Sequence, residues 1–184
     1  MRTFGGQRVN PTVALRSDRL ELRPLGETHA AFVESLYASP EVTRTLLRIQ
    51  GPISRQEARE LCETPTAMLG EYRFVAALRA NDRPVGVGNV RIPTAAAGVA
   101  GIGYSVLPNL WRQGVGTELA ELLVEFAFST LGAGEVRATT LVEAVASARV
   151  VEKLGFAILE AEARELDSRG EERRVTRWYL RRAG

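Results

Sequence analysis

Apolar and polar residues alternate with a period of two along Arg19-Leu20-Glu21-Leu22-Arg23, which predicts a first strand. The period then lengthens. Over 28–39, Ala31, Phe32, Leu36 and Tyr37 recur at helical spacing, and Pro40 is suited to open a second helix over 41–48. Ser54-Arg55-Gln56-Glu57 has the form of a capping box and predicts a helix to about residue 63. Strands are expected over 72–78 and 85–92, about a turn at Asn81-Asp82-Arg83-Pro84. A Gly- and Ala-rich connection leads to a further strand over 100–107. Leu119, Leu122, Leu123, Phe126 and Ala127 form one apolar stripe and predict a helix over 117–131. A strand over 136–142, a helix opening at Ser147, and a hairpin of 156–166 with 173–180 about Asp167-Ser168-Arg169-Gly170 complete the chain. This order implies a mixed α+β fold. Residues 1–14 lack periodicity and read as a flexible N-terminal arm, leaving 15–184 as one domain.

Composition narrows the class of partner. The charges nearly cancel (24 − 22 = +2), and no run of like charge is long enough for a nucleic-acid tail or a membrane patch. Arg173, Arg174, Arg177, Arg181 and Arg182 are spread along a predicted strand and read as a solvated face. No apolar run reaches membrane-spanning length, and no signal-peptide pattern opens the chain. The lone Cys62 excludes an internal disulfide, and its helical spacing with Ala58 and Leu61 makes it a packing residue. A cytoplasmic protein that binds neither nucleic acid nor membrane, as a monomer or homodimer, is therefore expected. His29, the only histidine, lies far from every motif and reads as a surface or capping residue.

The chemistry concentrates in Tyr104-Ser105-Val106-Leu107-Pro108-Asn109-Leu110-Trp111-Arg112-Gln113-Gly114-Val115-Gly116-Thr117-Glu118. A strand, a short loop with two glycines and a helix start aim several backbone N–H groups at one point. That is how a chain grips a diphosphate. The loop is neither a Rossmann fingerprint, because Leu119 stands where the third Gly belongs, nor a Walker A loop, because no Lys follows Gly116.

The loop resembles the acetyl-CoA loop of the GNAT superfamily of N-acetyltransferases, Gln/Arg-x-x-Gly-x-Gly/Ala, with Trp111 at the Gln/Arg position. About thirty residues on, Ser147 followed by Glu152-Lys153-Leu154-Gly155-Phe156 resembles the superfamily's second signature. Trp111 and Glu118 look like the branch that acetylates ribosomal-protein N-termini (RimJ/RimL-like). The resemblance implies the acyl-CoA N-acyltransferase fold, a mostly antiparallel sheet with a splayed parallel strand pair, and acetyl-CoA as co-substrate without a metal. It further implies that Val106 and Leu107 contact the pantetheine arm, that the Val106 N–H serves the oxyanion, and that Arg112, Gln113, Gly114, Val115, Gly116 and Thr117 hold the pyrophosphate.

Three usual catalytic residues are absent: Gly101 replaces a Glu, Val151 a Tyr and Ala144 an Asn. Ser147 is the expected substitute proton donor, with an N-cap role as the alternative. Glu143 is the nearest carboxylate for a general base, and Tyr104 is a further candidate. The acceptor pocket is expected from 27–69 and 85–92, where Arg44, Arg48, Glu71 and Arg91 read as ordinary surface charges. The implied activity is acetyl transfer to a primary amine, whether a protein N-terminus or a small metabolite or antibiotic. A non-catalytic acyl-CoA-binding domain is the alternative.

Overall fold

The computed structural model describes residues 15–63, 70–93 and 96–182, so the expected arm over 1–14 lies outside the described residues. The elements are β1 (Leu15–Arg16), β2 (Leu20–Pro24), α1 (Ala30–Tyr37), α2 (Pro40–Thr43), α3 (Arg55–Glu63), β3 (Glu71–Leu78), β4 (Pro84–Arg91) and β5 (Val99–Val106). There follow α4 (Val115–Glu125), β6 (Glu135–Leu141), α5 (Val145–Lys153), β7 (Ala157–Leu166) and β8 (Glu172–Arg181). The strands form one sheet in the order β1-β2-β3-β4-β5-β6-β8-β7. Every neighbouring pair is antiparallel except β5 with β6.

That pair opens partway along. β5 and β6 are joined only at Val99↔Glu135, Ala100↔Val136 and Gly101↔Arg137, although both strands continue beyond. β5 stays paired with β4 as far as Val106↔Gly86, and β6 with β8 as far as Leu141↔Val175. The gap therefore lies inside the sheet, between two strands each fixed on its far side.

Alternation along the strands sends side chains to two faces. On one, Leu20, Leu22, Phe74, Ile102 and Trp178 pack with Leu119, Leu123 and Phe126 of the α4 segment and Val151 of α5. Phe126 stands edge-on to Tyr72 and Phe74, with ring centroids 5.3 and 5.0 Å away. On the other face Val33, Leu36 and Tyr37 of α1 and Ala58 and Cys62 of α3 close over Val87. Cys62 is buried there, as its spacing predicted.

Local signals hold where the capping is local. Ser54 and Glu57 exchange hydrogen bonds as a capping box, 3.2 Å from the Glu57 N–H and 2.6 Å from the Ser54 N–H. The Gly26 N–H donates to His29 Nδ1 at 3.1 Å, a capping contact. The helix expected over 41–48 instead stops at Thr43. The Thr43 and Thr45 hydroxyls donate back to the carbonyls of Ser39 and Val42 (3.3 and 2.8 Å), and the Leu47 carbonyl accepts the Ser168 N–H at 3.1 Å. Tertiary contact with the β7–β8 turn thus overrides the helical pattern. Arg173 also departs from a solvated face. Its side chain is 22% exposed and pairs with Glu143 and Asp167.

Candidate active site

The cradle expected at the glycine loop is built as a loop and a helix mouth. Arg112 and Gly114 both adopt positive φ, 61° and 81°, which turns the chain sharply into α4. Gly114 is the N-cap and has no side-chain cap, so the first-turn N–H groups at Val115, Gly116 and Thr117 carry the positive end of the helix dipole. A Cβ at Gly116 would touch its nearest neighbour, Tyr104, only at 3.8 Å. Val150 follows at 4.0 Å, so a Cβ would sit there in ordinary contact without a clash. Among the described residues the Arg112 side chain has no hydrogen-bond or ion-pair partner and is available to an anion.

A latch from the opposite end of the chain braces this loop. Arg19 donates to the Gln113 carbonyl at 2.9 Å and pairs with Glu118 at 2.6 Å. Glu118 also accepts from the Ser17 hydroxyl and the Arg19 N–H, at 2.5 and 2.9 Å. Burial alone would raise the Glu118 carboxyl, but the bonds from Ser17 and Arg19 outweigh it and hold the group below its ordinary 4.5. A carboxyl lowered on folding stabilises above its unfolded value, so the latch holds at neutral pH and weakens as pH falls through the lowered folded value. Glu118→Gln keeps the shape and removes the charge. It is expected to raise the KM for acetyl-CoA about fivefold with kcat little changed, read by steady-state kinetics, since a half-exposed charged bond contributes about 1 kcal/mol.

Strand parity determines which groups face the gap. The Leu107 N–H donates to the Val85 carbonyl at 2.9 Å, so Leu107, Ser105, Gly103 and Gly101 direct their backbone groups to β4. Ile102, Tyr104 and Val106 direct theirs toward the gap. The Val106 carbonyl is taken by the Trp111 indole N–H at 2.8 Å, which leaves its N–H facing the opening. Leu107 is a correction. Its N–H serves Val85 and its carbonyl accepts the Leu110 N–H at 3.0 Å, so it offers no added-strand contact.

Tyr104 and Ser147 meet across the gap, Oη to Oγ 3.4 Å, a slack contact for two hydroxyls. Burial pushes the Tyr104 phenol above its ordinary 10.0, so it stays protonated at neutral pH. α5 begins at Val145 with Ala144 at the N-cap, so Ser147 sits inside the first turn and does not cap the helix. Val151, one turn later, lines the same cavity. The absent Tyr at 151 is thus matched by hydroxyls arriving from β5 and from one turn earlier.

Glu143 falls elsewhere. Its carboxylate binds Arg173 at 2.5 Å, is 55% exposed, and does not line the cavity. Burial acts to raise this carboxyl, but the Arg173 guanidinium dominates and lowers it, which weakens it further as a base.

A cavity of about 500 Å³ runs through the gap from Tyr104, Ser147 and Val151 to the α1–α3 face. Its floor there is bare at Gly101, whereas the Asn89 side chain lies over Gly103. Register aligns Glu71, Arg91, Gly101 and Arg137 in one cross-strand row, and Arg73, Asn89 and Gly103 in the next. Glu71, 12% exposed, binds Arg73 at 3.0 Å, Arg91 at 3.5 Å and the Asn89 amide at 3.1 Å. Glu71 and Arg91 were expected as ordinary surface charges. They line the chamber, and only strand register, which sequence spacing does not carry, brings them together. Tyr37 roofs it from α1, its phenol pushed up to about 12 by burial and bonded to Ser105.

A sheet opened between parallel strands, with a glycine turn leading into a helix mouth beside the gap, defines the acyl-CoA N-acyltransferase fold. The acetyltransferase (GNAT) domain family matches residues 19–157, and the chain belongs to that family of N-acetyltransferases. The chain is 28% identical over 145 residues to the uncharacterized N-acetyltransferase YoaA of Bacillus subtilis, covering 77% of this chain and 81% of that protein. The spermidine N-acetyltransferase of Vibrio cholerae, solved with CoA and spermine, superposes with a TM-score of 0.78 at 19% identity, over 90% of this chain and 96% of that one. RimL, a ribosomal L7/L12 alpha-N-protein acetyltransferase solved with coenzyme A, gives 0.78 at 18% identity, over 92% and 98%. At these identities the solved structures speak to fold alone.

Proposed function

We propose that this chain transfers the acetyl group of acetyl-CoA to a primary amine of low pKa, of which a protein N-terminal α-amine is the leading example. The observation that carries this reading is the absence, among the described residues lining the gap, of a carboxylate free to act as base. Gly101 has no side chain, Glu71 and Glu165 are each held by two arginines, and Glu143 lies outside the cavity. The amine must then reach its neutral form unaided. An α-amine with a pKa near 8 is about a tenth neutral at pH 7, against ~0.04% for a lysine near 10.4. The likeness to RimL agrees with this acceptor, whereas the spermidine enzyme offers the small-amine alternative.

Val115, Gly116 and Thr117, with Arg112, would hold the diphosphate by N–H groups and charge. The backbone groups of Tyr104 would pair with an amide of the pantetheine arm as an added strand does, which leaves the Val106 N–H for the oxyanion. The ammonium first loses a proton to water, and the neutral nitrogen attacks the thioester carbon. The new C–N bond gives a tetrahedral oxyanion facing the Val106 N–H. The C–S bond then breaks with its electron pair on sulfur. The nitrogen sheds its second proton to water, the thiolate takes one from Tyr104 Oη, which Ser147 Oγ orients, and solvent returns a proton to the Tyr104 phenolate.

Incubating the protein with isotopically labelled acetyl-CoA and a cell extract, followed by mass spectrometry, tests the reading. Label on an α-amine supports it. Label confined to lysine side chains overturns the low-pKa acceptor, and no label on any amine, with CoA binding retained, favours the non-catalytic alternative.

A further inference from the structure

We infer that the acceptor amine carries an acidic group, and that this group is held by Arg73 and Arg91 on the chamber floor. The inference rests on the proposed acetyl transfer and adds the charge class of its substrate. Six charged residues line the cavity: Arg48, Glu71, Arg73, Arg91, Arg137 and Glu165. Arg48, 69% exposed, shares Glu165 with Arg177 (3.4 and 3.6 Å), and Arg137 shares Glu135 with Arg181 (2.8 and 3.3 Å), the second arginine of each pair lying outside the cavity. Arg73 and Arg91 share a single carboxylate, Glu71. One positive charge is therefore left over on the floor, beside a guanidinium only 20% exposed. An unbalanced charge in a partly dehydrated site favours an anion there and repels a cation.

Geometry says where that anion lies relative to the amine. Arg91 pairs in register with Gly101, so bare backbone separates it from the gap, while in the Arg73 row the Asn89 amide lies over Gly103. Arg91 projects from β4, and the reacting nitrogen must reach the far edge of β5. Strands lie about 4.8 Å apart, so acid and amine are about 5–10 Å from one another. The side-chain carboxylate of an acidic residue lies at the near end of that range from its own α-amine. A polyamine would bring a second cation to the excess positive charge. The chamber is therefore unlike one that selects spermidine, even though a spermidine enzyme shares the fold.

The test is kcat/KM for three α-amines that differ only in the side chain: the α-amides of glutamate, glutamine and arginine. The acid is expected to exceed the neutral amide by about tenfold, with the cation lowest. Arg91→Gln, at a side chain 47% exposed and thus the safer to replace, should bring the acid-to-amide ratio close to one. A wild-type ratio at or below one overturns the inference and leaves acetyl transfer standing, as does a ratio that Arg91→Gln leaves unchanged. Where none of the three is acetylated, the labelled product from the extract decides. A product bearing an acidic group near the new amide supports the inference, and one without overturns it. If no amine in either experiment is labelled while CoA still binds, the transfer reading fails and this inference fails with it.

Discussion

Gly116→Asp is expected to make the protein more stable and nearly abolish its binding of acetyl-CoA. The two effects have different origins. Gly116 lies in the first turn of α4 in ordinary helical backbone, and a Cβ there meets nothing closer than 3.8 Å, so the side chain fits. Replacing a helical Gly removes chain entropy from the unfolded state, and an aspartate at this end of the helix complements the dipole. Together these contribute about 1 kcal/mol and raise Tm by about 3 °C for a domain of this size. The same carboxylate would stand where the diphosphate must approach. Two like charges about 4 Å apart in a surface dielectric repel by about 4 kcal/mol, which corresponds to several hundredfold in Kd. Calorimetric titration with CoA and a thermal melt of one sample read both quantities. Binding within about threefold of wild type would remove the diphosphate from this loop.

The cradle was legible because everything that makes it is local. Strand, turn, positive-φ glycine and helix start follow one another within a dozen residues, and spacing alone specifies them. Most strands and the helices around 54–63 and 117–131 were legible for the same reason, since their apolar periods survive into the burial pattern. α4 nevertheless starts at Val115, two residues earlier than its apolar stripe suggests, because the cradle turn itself opens the helix. What depends on register was not legible. Glu71, Arg91, Gly101 and Arg137 come from four strands and form a row only once pairing is fixed, so Glu71 and Arg91 read alone as surface charges. Ser17 and Arg19 reach Glu118 across about a hundred residues, and no local pattern announces such a latch. Leu107 failed for a subtler reason. A shift of one residue along β5 exchanges the gap edge for the β4 edge, and the sequence does not state the parity.

The second large effect concerns the paired hydroxyls. Tyr104→Phe is expected to lower kcat about a hundredfold while leaving the KM for acetyl-CoA within about twofold, the usual size of a lost general acid. The ring of Tyr104 stays in place as packing against the α4 face, so the variant should melt with the wild type. Ser147→Ala should lower kcat by less, about tenfold, because Ser147 acts through the phenol it orients. If the two hydroxyls form one relay, the double variant will be no slower than Tyr104→Phe alone, and the cycle will show a coupling of about 1.4 kcal/mol. Two independent donors would instead multiply their losses. The pH profile supplies a separate sign. Burial raises the Tyr104 phenol above its ordinary value, so the acid form persists through neutral pH and the alkaline fall in kcat is shifted upward from that of a free phenol. In Tyr104→Phe that alkaline limb should vanish, since no proton remains there to lose. If the limb persists unchanged at a hundredfold lower rate, the titrating acid is another group and Tyr104 serves only to shape the pocket.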